Sequence, residues 1–285
     1  MSTRALIDFL LHDWLDVQSL CARPRFADHG PETFAQVLDT CERIAREKYA
    51  PFNRLVDTQE PAFDGEKVIL PAATQEAWKA YAQSGMLSAA QDYEMGGMQL
   101  PYTIEAAANA FFAQASVSIG AGMLTVGNAN LLMAHGMDYE RDPLGPRYRL
   151  RGNKMWISAG EHELTENIIH LVLAKIPGAD GKPIPGVKGI SLFIVPKKMV
   201  GTDGQLTGER NDVSLAGLNH KCGWRGTTNT LLNFGERSGA IGYLVGRPGE
   251  GLKCMFHMMN EARIGVGLAA TMLGMAGYEA SLAYA

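Results

Sequence analysis

Apolar side chains in residues 1–135 recur every three or four positions, which is the spacing of one face of an α-helix. The first such face consists of Leu6, Leu10, Trp14 and Val17. A second helix is predicted to begin at Gly30-Pro31, with an apolar stripe of Phe34, Val37, Leu38, Cys41 and Ile44. Three more helices are predicted: one over residues 72–84 that stops at Gly85, one that begins at Pro101, and one over residues 116–135. The chain therefore begins with a helical domain.

The pattern changes near Met137, where short runs rich in Ile, Val, Leu, Thr and Phe replace the helical spacing. Strands are predicted over residues 168–176, 189–195 and 227–234. Gly152-Asn153 is a hairpin turn signal between the strands predicted on its two sides. This part of the chain predicts a small antiparallel β domain.

Helical spacing returns at Gly249 and continues to Ala285. The fold class is therefore expected to be α+β, with an N-terminal helical domain over 1–136, a middle β domain over 137–246 and the start of a C-terminal helical bundle over 247–285. The order of elements excludes alternating βαβ units. No G-x-G-x-x-G motif follows a strand and no P-loop motif is present, so neither nucleotide site is predicted.

Composition narrows the class of protein. Of 285 residues 46% are hydrophobic, the net charge is −4 and there is no run of Lys and Arg, so nucleic acid is not an expected partner. The longest apolar stretch, 264–277, is shorter than the ~18 residues of a membrane span. The four cysteines have no metal-ligand spacing and are expected to be reduced. A soluble, cytoplasmic protein is predicted.

The most informative chemistry lies at the end of a predicted strand, in Trp156-Ile157-Ser158. A strand sends side chains alternately to opposite faces, so Trp156 and Ser158 should share one face. An aromatic ring beside a hydroxyl group suits a planar heteroaromatic ligand. The alternative is a Trp that fills the core of the β domain, with Ser158 at a turn.

Several motifs, in order along the chain, resemble those of the acyl-CoA dehydrogenase family. They are Gly85-Met86-Leu87 followed by Gly96-Gly97-Met98, Lys154-Met155-Trp156-Ile157-Ser158, residues 246–252, and Asn260-Glu261-Ala262-Arg263. Residues 158–167 and 208–213 are most similar to the large branch of the family that includes 3-methylmercaptopropionyl-CoA dehydrogenase. The resemblance covers almost the whole chain.

The resemblance implies FAD as cofactor, an acyl-CoA as substrate, an electron-transfer flavoprotein as acceptor and a homo-oligomer, with a role in fatty acid metabolism. In the family a carboxylate removes the α-proton of an acyl-CoA thioester while hydride leaves the β-carbon for the flavin. Trp156 is expected to pack against the flavin ring, Ser158 to bond near its reactive edge, and Ile157 to offer backbone contacts. Arg263 is expected near the substrate and Asn260 near the CoA portion.

Two departures from the family pattern qualify this expectation. The loop of the type Thr-Glu-Pro-x-x-Gly-Ser-Asp is absent, because Gly136 is followed almost directly by Tyr148. The first strand and loop of the middle domain are therefore expected to be deleted. The resemblance also implies that the catalytic Glu lies beyond Ala285, so no catalytic residue is predicted here and the chain is expected to be a fragment.

Three readings stay open from the sequence. The chain is a flavin-dependent acyl-CoA dehydrogenase, a non-catalytic remnant of one, or part of a longer natural protein. Arg263 could instead be an ordinary solvated residue. His162 lies between two glutamates, but the spacing does not gather metal ligands and no metal site is predicted. Glu261 and Glu279 do not match the position of the family's catalytic base.

Overall fold

The computed structural model of the protein describes residues 2–119, 130–134 and 147–285. These residues form two compact units. The first contains residues 2–58, 71–119 and 265–285, and the second contains residues 59–70, 130–134 and 147–264. The positions of the predicted domain boundaries remain predictions.

The first unit is built from helices. They are α1 (Thr3–Asp8), α2 (Pro31–Ile44), α3 (Asn53–Thr58), α4 (Ala72–Gln83), α5 (Tyr102–Ser116) and the C-terminal part of α6 (Gly251–Tyr284). Predicted helices α2, α4 and α5 are confirmed within one or two residues. The helix predicted over 116–135 falls mostly outside the described residues, of which 130–134 are helical.

Periodicity explains the core of the first unit. Pro31 opens α2, where its missing N–H costs no hydrogen bond, and Phe34, Leu38 and Cys41 are buried along one face. The ring of Phe112 on α5 lies 5.1 Å from that of Tyr81 in an edge-on contact. Aromatic rings prefer this geometry, so the contact fixes orientation as well as burying area.

The face predicted for the first helix is wrong in part, because Val17 is buried as predicted but Leu6 and Leu10 are only half-buried. The structure buries Ile7 and Leu11, while Trp14 is 71% exposed. The offset already exists at Ile7, within α1. A wider π-helical turn over Phe9–Trp14 follows, and no residue pattern in the sequence marks that turn.

The second unit is built on antiparallel strands. They are β1 (Ala62–Phe63), β2 (Val68–Ile69), β3 (Arg147–Leu150), β4 (Gly152–Ser158), β5 (Ile169–Lys175), β6 (Ile190–Pro196), β7 (Lys198–Val200), β8 (Leu206–Arg210), β9 (Val213–Leu218), β10 (Asn229–Phe234) and β11 (Ala240–Val245). One sheet has the order β3-β11-β6-β5 and another β4-β10-β9, and β1-β2 and β7-β8 form two-stranded ribbons.

The two larger sheets share one hydrophobic core. Leu150, Phe193 and Val195 from the four-stranded sheet pack in one cluster with Leu232 and Phe234 from the three-stranded sheet. Full burial of a Phe side chain contributes about 1.5–3 kcal/mol, so this cluster stabilises the packing of the two sheets. The predicted α+β class is confirmed.

The predicted hairpin at Gly152-Asn153 is wrong. Strand β3 pairs with β11 and β4 pairs with β10, so the chain crosses from one sheet to the other at Arg151. Gly152 has φ +138, a conformation that a residue with a side chain rarely adopts. The glycine signal therefore marks a crossover between sheets, which local sequence does not distinguish from a tight turn.

Helix α6 begins directly against β6. A Cβ atom at Gly251 would lie 2.4 Å from the carbonyl carbon of Ser191, so only glycine allows this approach. Val245, Cys254 and Met255 form a small cluster there. No helix among the described residues is long and apolar enough to cross a membrane.

Candidate functional site

Strand β4 carries a β-bulge at the predicted cofactor position. Ile157 pairs with Thr230 and Lys154 pairs with Leu232, so Met155 and Trp156 together oppose the single residue Leu231. Trp156 has φ +63, which is rare for a bulky side chain. Strained backbone of this kind is retained mainly where a side chain must be aimed in a particular direction.

The bulge turns the indole ring into solvent. Trp156 is 66% exposed and Ser158 is exposed, while Ile157 between them packs against the core of the two sheets. The alternative in which Trp156 fills the β-domain core is therefore wrong. An exposed indole beside an exposed hydroxyl group is a surface suited to a planar ligand with polar edges.

Neighbouring strands hold the bulge in place. The Thr230 hydroxyl donates to the carbonyl oxygen of Ile157 at 3.0 Å, and the Ala159 amide donates to the Thr228 carbonyl at 2.9 Å. The Asn219 side-chain amide donates to the Asn229 side-chain oxygen at 2.9 Å. Both sides of the Trp156–Ser158 segment are thus fixed before any ligand binds.

A buried ionic cluster, which sequence reasoning missed, lies in the loop after Ser158. The ammonium group of Lys197 contacts both Glu161 and Glu163, and Arg210 contacts Glu161 at 3.2 Å. The side chains of Lys197 and Glu161 are only 3% and 4% exposed. Charges this deep are stable only as a pair, so the cluster anchors the loop that follows Ser158.

His162 belongs to this cluster in a structural role. Its Nδ1 atom accepts a hydrogen bond from the Leu164 amide at 3.2 Å. Burial, followed by the charge of Lys197, lowers the pKa of His162 to about 4, so the ring is neutral at pH 7. Within the described ranges no group of His, Cys, Asp and Glu is arranged to hold a metal ion.

The predicted substrate residues lie together on an exposed face of α6. The Arg263 Nη1 atom donates to the Asn260 side-chain oxygen at 3.3 Å. The guanidinium carbon of Arg263 also lies 5.4 Å from the centre of the Phe256 ring. Both contacts hold the cation in one place on the helix surface. No described hydrogen bond, ion pair or ring contact joins this pair to Trp156 or Ser158.

The two glutamates left unassigned from the sequence both have partners. Glu261 accepts two hydrogen bonds from the Asn130 amide, at 2.9 and 3.0 Å. Glu279 accepts from the Thr3 hydroxyl at 2.8 Å and from the Gln114 amide at 2.7 Å. These contacts account for both carboxylates as structural groups.

A second polar cluster joins residues far apart in sequence. Glu60 accepts from Arg225, with Nε at 2.9 Å, and its other oxygen lies 2.8 Å from His220 Nδ1. Hydrogen bonds from Arg225, and then from His220, lower the pKa of Glu60. His220 lies just beyond the end of β9. A separation of 165 residues hides the Glu60–Arg225 pair from any local pattern.

Comparison with known proteins gives consistent relatives. The chain is 30% identical over 311 residues to 3-methylmercaptopropionyl-CoA dehydrogenase of Ruegeria pomeroyi, covering 96% of this chain and 51% of the relative. It is 29% identical over 324 residues to butyryl-CoA dehydrogenase of Syntrophomonas wolfei, covering 98% and 52%. No model of a protein family matches the chain.

The fold leads to the same group of proteins. An acyl-CoA dehydrogenase from Bacillus anthracis, solved as a complex with FAD, superposes with a TM-score of 0.62 at 19% identity, over 86% of this chain and 43% of the other. Identity this low shows the fold alone.

The lengths of the alignments explain how the relatives differ from this chain. The chain spans about half the length of the curated relatives it matches. The two alignments are longer than the 285 residues of the chain, so they open gaps within it. In sequence over nearly its whole length, and in fold, the chain is thus consistently similar to acyl-CoA dehydrogenases.

Proposed function

We propose that the chain contributes one wall of the FAD site and part of the acyl-CoA site of an enzyme that dehydrogenates acyl-CoA thioesters at the α,β bond. The observation that carries this proposal is the exposed Trp156–Ser158 segment, held by a bulge in a left-handed backbone conformation. A Trp of the core would have no need of that conformation. The relatives supply the reaction class.

The residues present fit a flavin. The exposed face of Trp156 offers a stacking surface for a flat heteroaromatic ring, and the Ser158 hydroxyl can donate to a nitrogen or oxygen atom at the ring edge. When bound, FAD supplies the acceptor for the hydride from the substrate. The protein's contribution is orientation, because the bulge and its hydrogen bonds fix the backbone that carries both side chains.

On the substrate side, we assign binding to Arg263 and Asn260. The guanidinium group of Arg263 is preorganised by Phe256 and offers donors to an anionic or carbonyl oxygen. The carboxylate that removes the α-proton is proposed to come from outside this chain. The role of the chain is therefore to bind and orient the flavin and the acyl-CoA. A homo-oligomer, an electron-transfer flavoprotein as acceptor and a cytoplasmic location complete the proposal.

One observation favours the second candidate, a chain that binds without catalysis. Helix α6 exposes Ile264, Leu273 and Leu282 by 54%, 56% and 61%. Large exposed apolar surfaces on a soluble protein mark an interaction site or cause aggregation. A chain with this surface uncovered would hold its fold poorly and would not complete a catalytic site.

The visible spectrum of the purified 285-residue chain separates the two candidates. We expect a yellow protein with bound FAD, whose colour bleaches with an acyl-CoA in the absence of oxygen once the polypeptide that carries the base is supplied. Yellow protein that does not bleach supports binding without catalysis. A colourless protein that takes up no added FAD contradicts both the cofactor assignment and the enzyme.

Substitutions on α6 test the substrate assignment separately. Arg263→Gln should weaken binding of an acyl-CoA by roughly tenfold, because one charge-assisted hydrogen bond is lost. Lys253→Gln is the matched control, since Lys253 is an exposed cation on the same helix. Equal affinities in both variants, measured by calorimetry, would remove Arg263 from the site.

A further inference from the structure

A small polar cavity lies at the end of β9 and β10, next to the Trp156–Ser158 segment. Its volume is about 170 Å³. Its polar lining includes Glu60, His220, Arg225, Thr227, Thr228 and Asn229. Ligand pockets for whole small molecules are about 300–1,000 Å³, so this cavity has room for one polar group and not for an entire cofactor.

The cavity is connected to the proposed flavin wall through the backbone. Asn229 pairs with Ser158 across β10 and β4, and the Thr228 carbonyl accepts from the Ala159 amide at 2.9 Å. A ligand with an aromatic ring at Trp156 and a polar extension would therefore have its extension near this cavity.

An anionic group already lies against the cation of the cavity. Of the lining residues Arg225 is the permanent cation, and it pairs with the Glu60 carboxylate. The carboxylate itself is held by two nitrogen atoms of Arg225 and by the His220 ring. The protein thus already places an anionic group of its own at this position.

The segment that carries Glu60 is weakly held. Strands β1 and β2 have two residues each, and most of their residues are exposed. Two-stranded ribbons are only marginally stable, so the cost of moving Glu60 aside is small compared with that of moving a core strand.

We propose that this cavity is a phosphate-binding site and that Glu60 occupies it until a phosphate group displaces its carboxylate. A terminal phosphate group at pH 7 carries close to two negative charges and three acceptor oxygens, which suit the donors of Arg225 and His220 better than a single carboxylate does. The planar fork of Arg225 can bind two phosphate oxygens at once. Inorganic phosphate binding is independent of the proposed enzyme activity. Only the identity of the molecule that carries the phosphate rests on the proposed function.

Calorimetric titration of the flavin-free chain with inorganic phosphate tests the site directly. Glu60→Gln should raise the phosphate affinity by roughly tenfold or more, because a competing charged group is removed. Arg225→Met should abolish saturable binding, and Arg225→Lys should retain part of it. Glu66→Gln is the matched control, because Glu66 is an exposed glutamate between the same two strands.

Melting temperatures distinguish this proposal from the alternative that the Glu60–Arg225 ion pair has only a structural role. If the Glu60–Arg225 pair only ties residues 59–70 to the loop between β9 and β10, Glu60→Gln and Arg225→Met will both melt lower, and phosphate will not raise the melting temperature of Glu60→Gln. Equal phosphate affinity in Glu60→Gln, Glu66→Gln and the unchanged protein overturns the proposal.

The source of the phosphate is resolved by comparing ligands in the Arg225→Met variant. If the group belongs to the flavin, affinity for FAD will fall while affinity for riboflavin is unchanged. If the group belongs to the substrate, affinity for CoA will fall while affinity for pantetheine is unchanged. If phosphate binds but neither pair of ligands is affected, free phosphate is the ligand. If the unchanged chain binds inorganic phosphate but does not bind FAD, the proposed function is contradicted and the phosphate site is not.

Discussion

Replacing Lys197 by Met is predicted to destabilise the second unit by about 3 kcal/mol. The ammonium group contacts Glu161 and, at 2.9 Å, Glu163. Its loss leaves the Glu161 carboxylate, which is 4% exposed, with two remaining partners. They are Arg210 at 3.2 Å and the backbone amide of His162. Removing one partner of a buried ion pair costs about 3–5 kcal/mol, and the remaining Arg210 contact favours the lower end of that range.

Two further variants separate the buried pair from the exposed contact. The double variant Lys197→Met, Glu161→Met should recover most of the loss, because replacing a buried pair by apolar side chains is often neutral or stabilising. Glu163→Gln should cost less than about 1 kcal/mol, since the Glu163 side chain is 43% exposed and solvent screens its charge. Lys182→Met, at an exposed position, is the control.

Urea denaturation followed by tryptophan fluorescence measures these free energies. Of the four tryptophans only Trp156 and Trp224 lie in the second unit, so Trp14→Phe and Trp78→Phe in the background make the signal specific to that unit. The reasoning is refuted if Lys197→Met costs less than about 1 kcal/mol, the range of exposed pairs. It is equally refuted if the double variant is no more stable than Lys197→Met alone.

Two other changes have predictable results. Gly160→Ala should destabilise the unit by about 1–3 kcal/mol and disturb the Trp156–Ser158 segment, because the new Cβ would lie 2.4 Å from the Thr230 hydroxyl. Gly217→Ala, with open space around it, should be nearly neutral, and equal urea midpoints would contradict the close approach. Burial, and then the charge of Lys197, lowers the pKa of His170 from 6.5 to about 4. The free energy of unfolding that depends on the neutral ring is therefore complete above pH 6.5 and is lost as the pH falls toward 4. His170→Phe should reduce this acid loss in melting curves between pH 7 and 4, and unchanged acid sensitivity would contradict it.

Local periodicity was enough to predict α2, α4, α5 and the fold class. The stripe of Phe34, Leu38 and Cys41 repeats at helical spacing and is buried as expected. The strands β5, β6 and β10 were also predictable, because runs of β-branched and aromatic residues mark them. What the pattern could not give is which strands pair, since the same Gly152-Asn153 signal serves a hairpin or a crossover.

The candidate site was predictable in part. The residue types at Trp156 and Ser158 indicated a flat ligand, but the bulge that exposes them depends on Thr230 and Leu232, about 75 residues away. The charges in the Lys197 cluster and the Glu60–Arg225 pair are ordinary surface residues in composition. Only long-range folding makes them buried or paired, so no local pattern signalled them.

The affinity of the chain for FAD with and without Trp156 tests the central claim most directly. Trp156→Ala should weaken FAD binding by roughly tenfold, because an aromatic stacking contact of about 0.5–1.5 kcal/mol and its buried area are lost. Trp14→Ala, which removes an equally exposed indole from the first unit, should leave the affinity unchanged. Equal FAD affinity in the two variants, measured by flavin fluorescence titration, would contradict the assignment of Trp156 to the flavin wall.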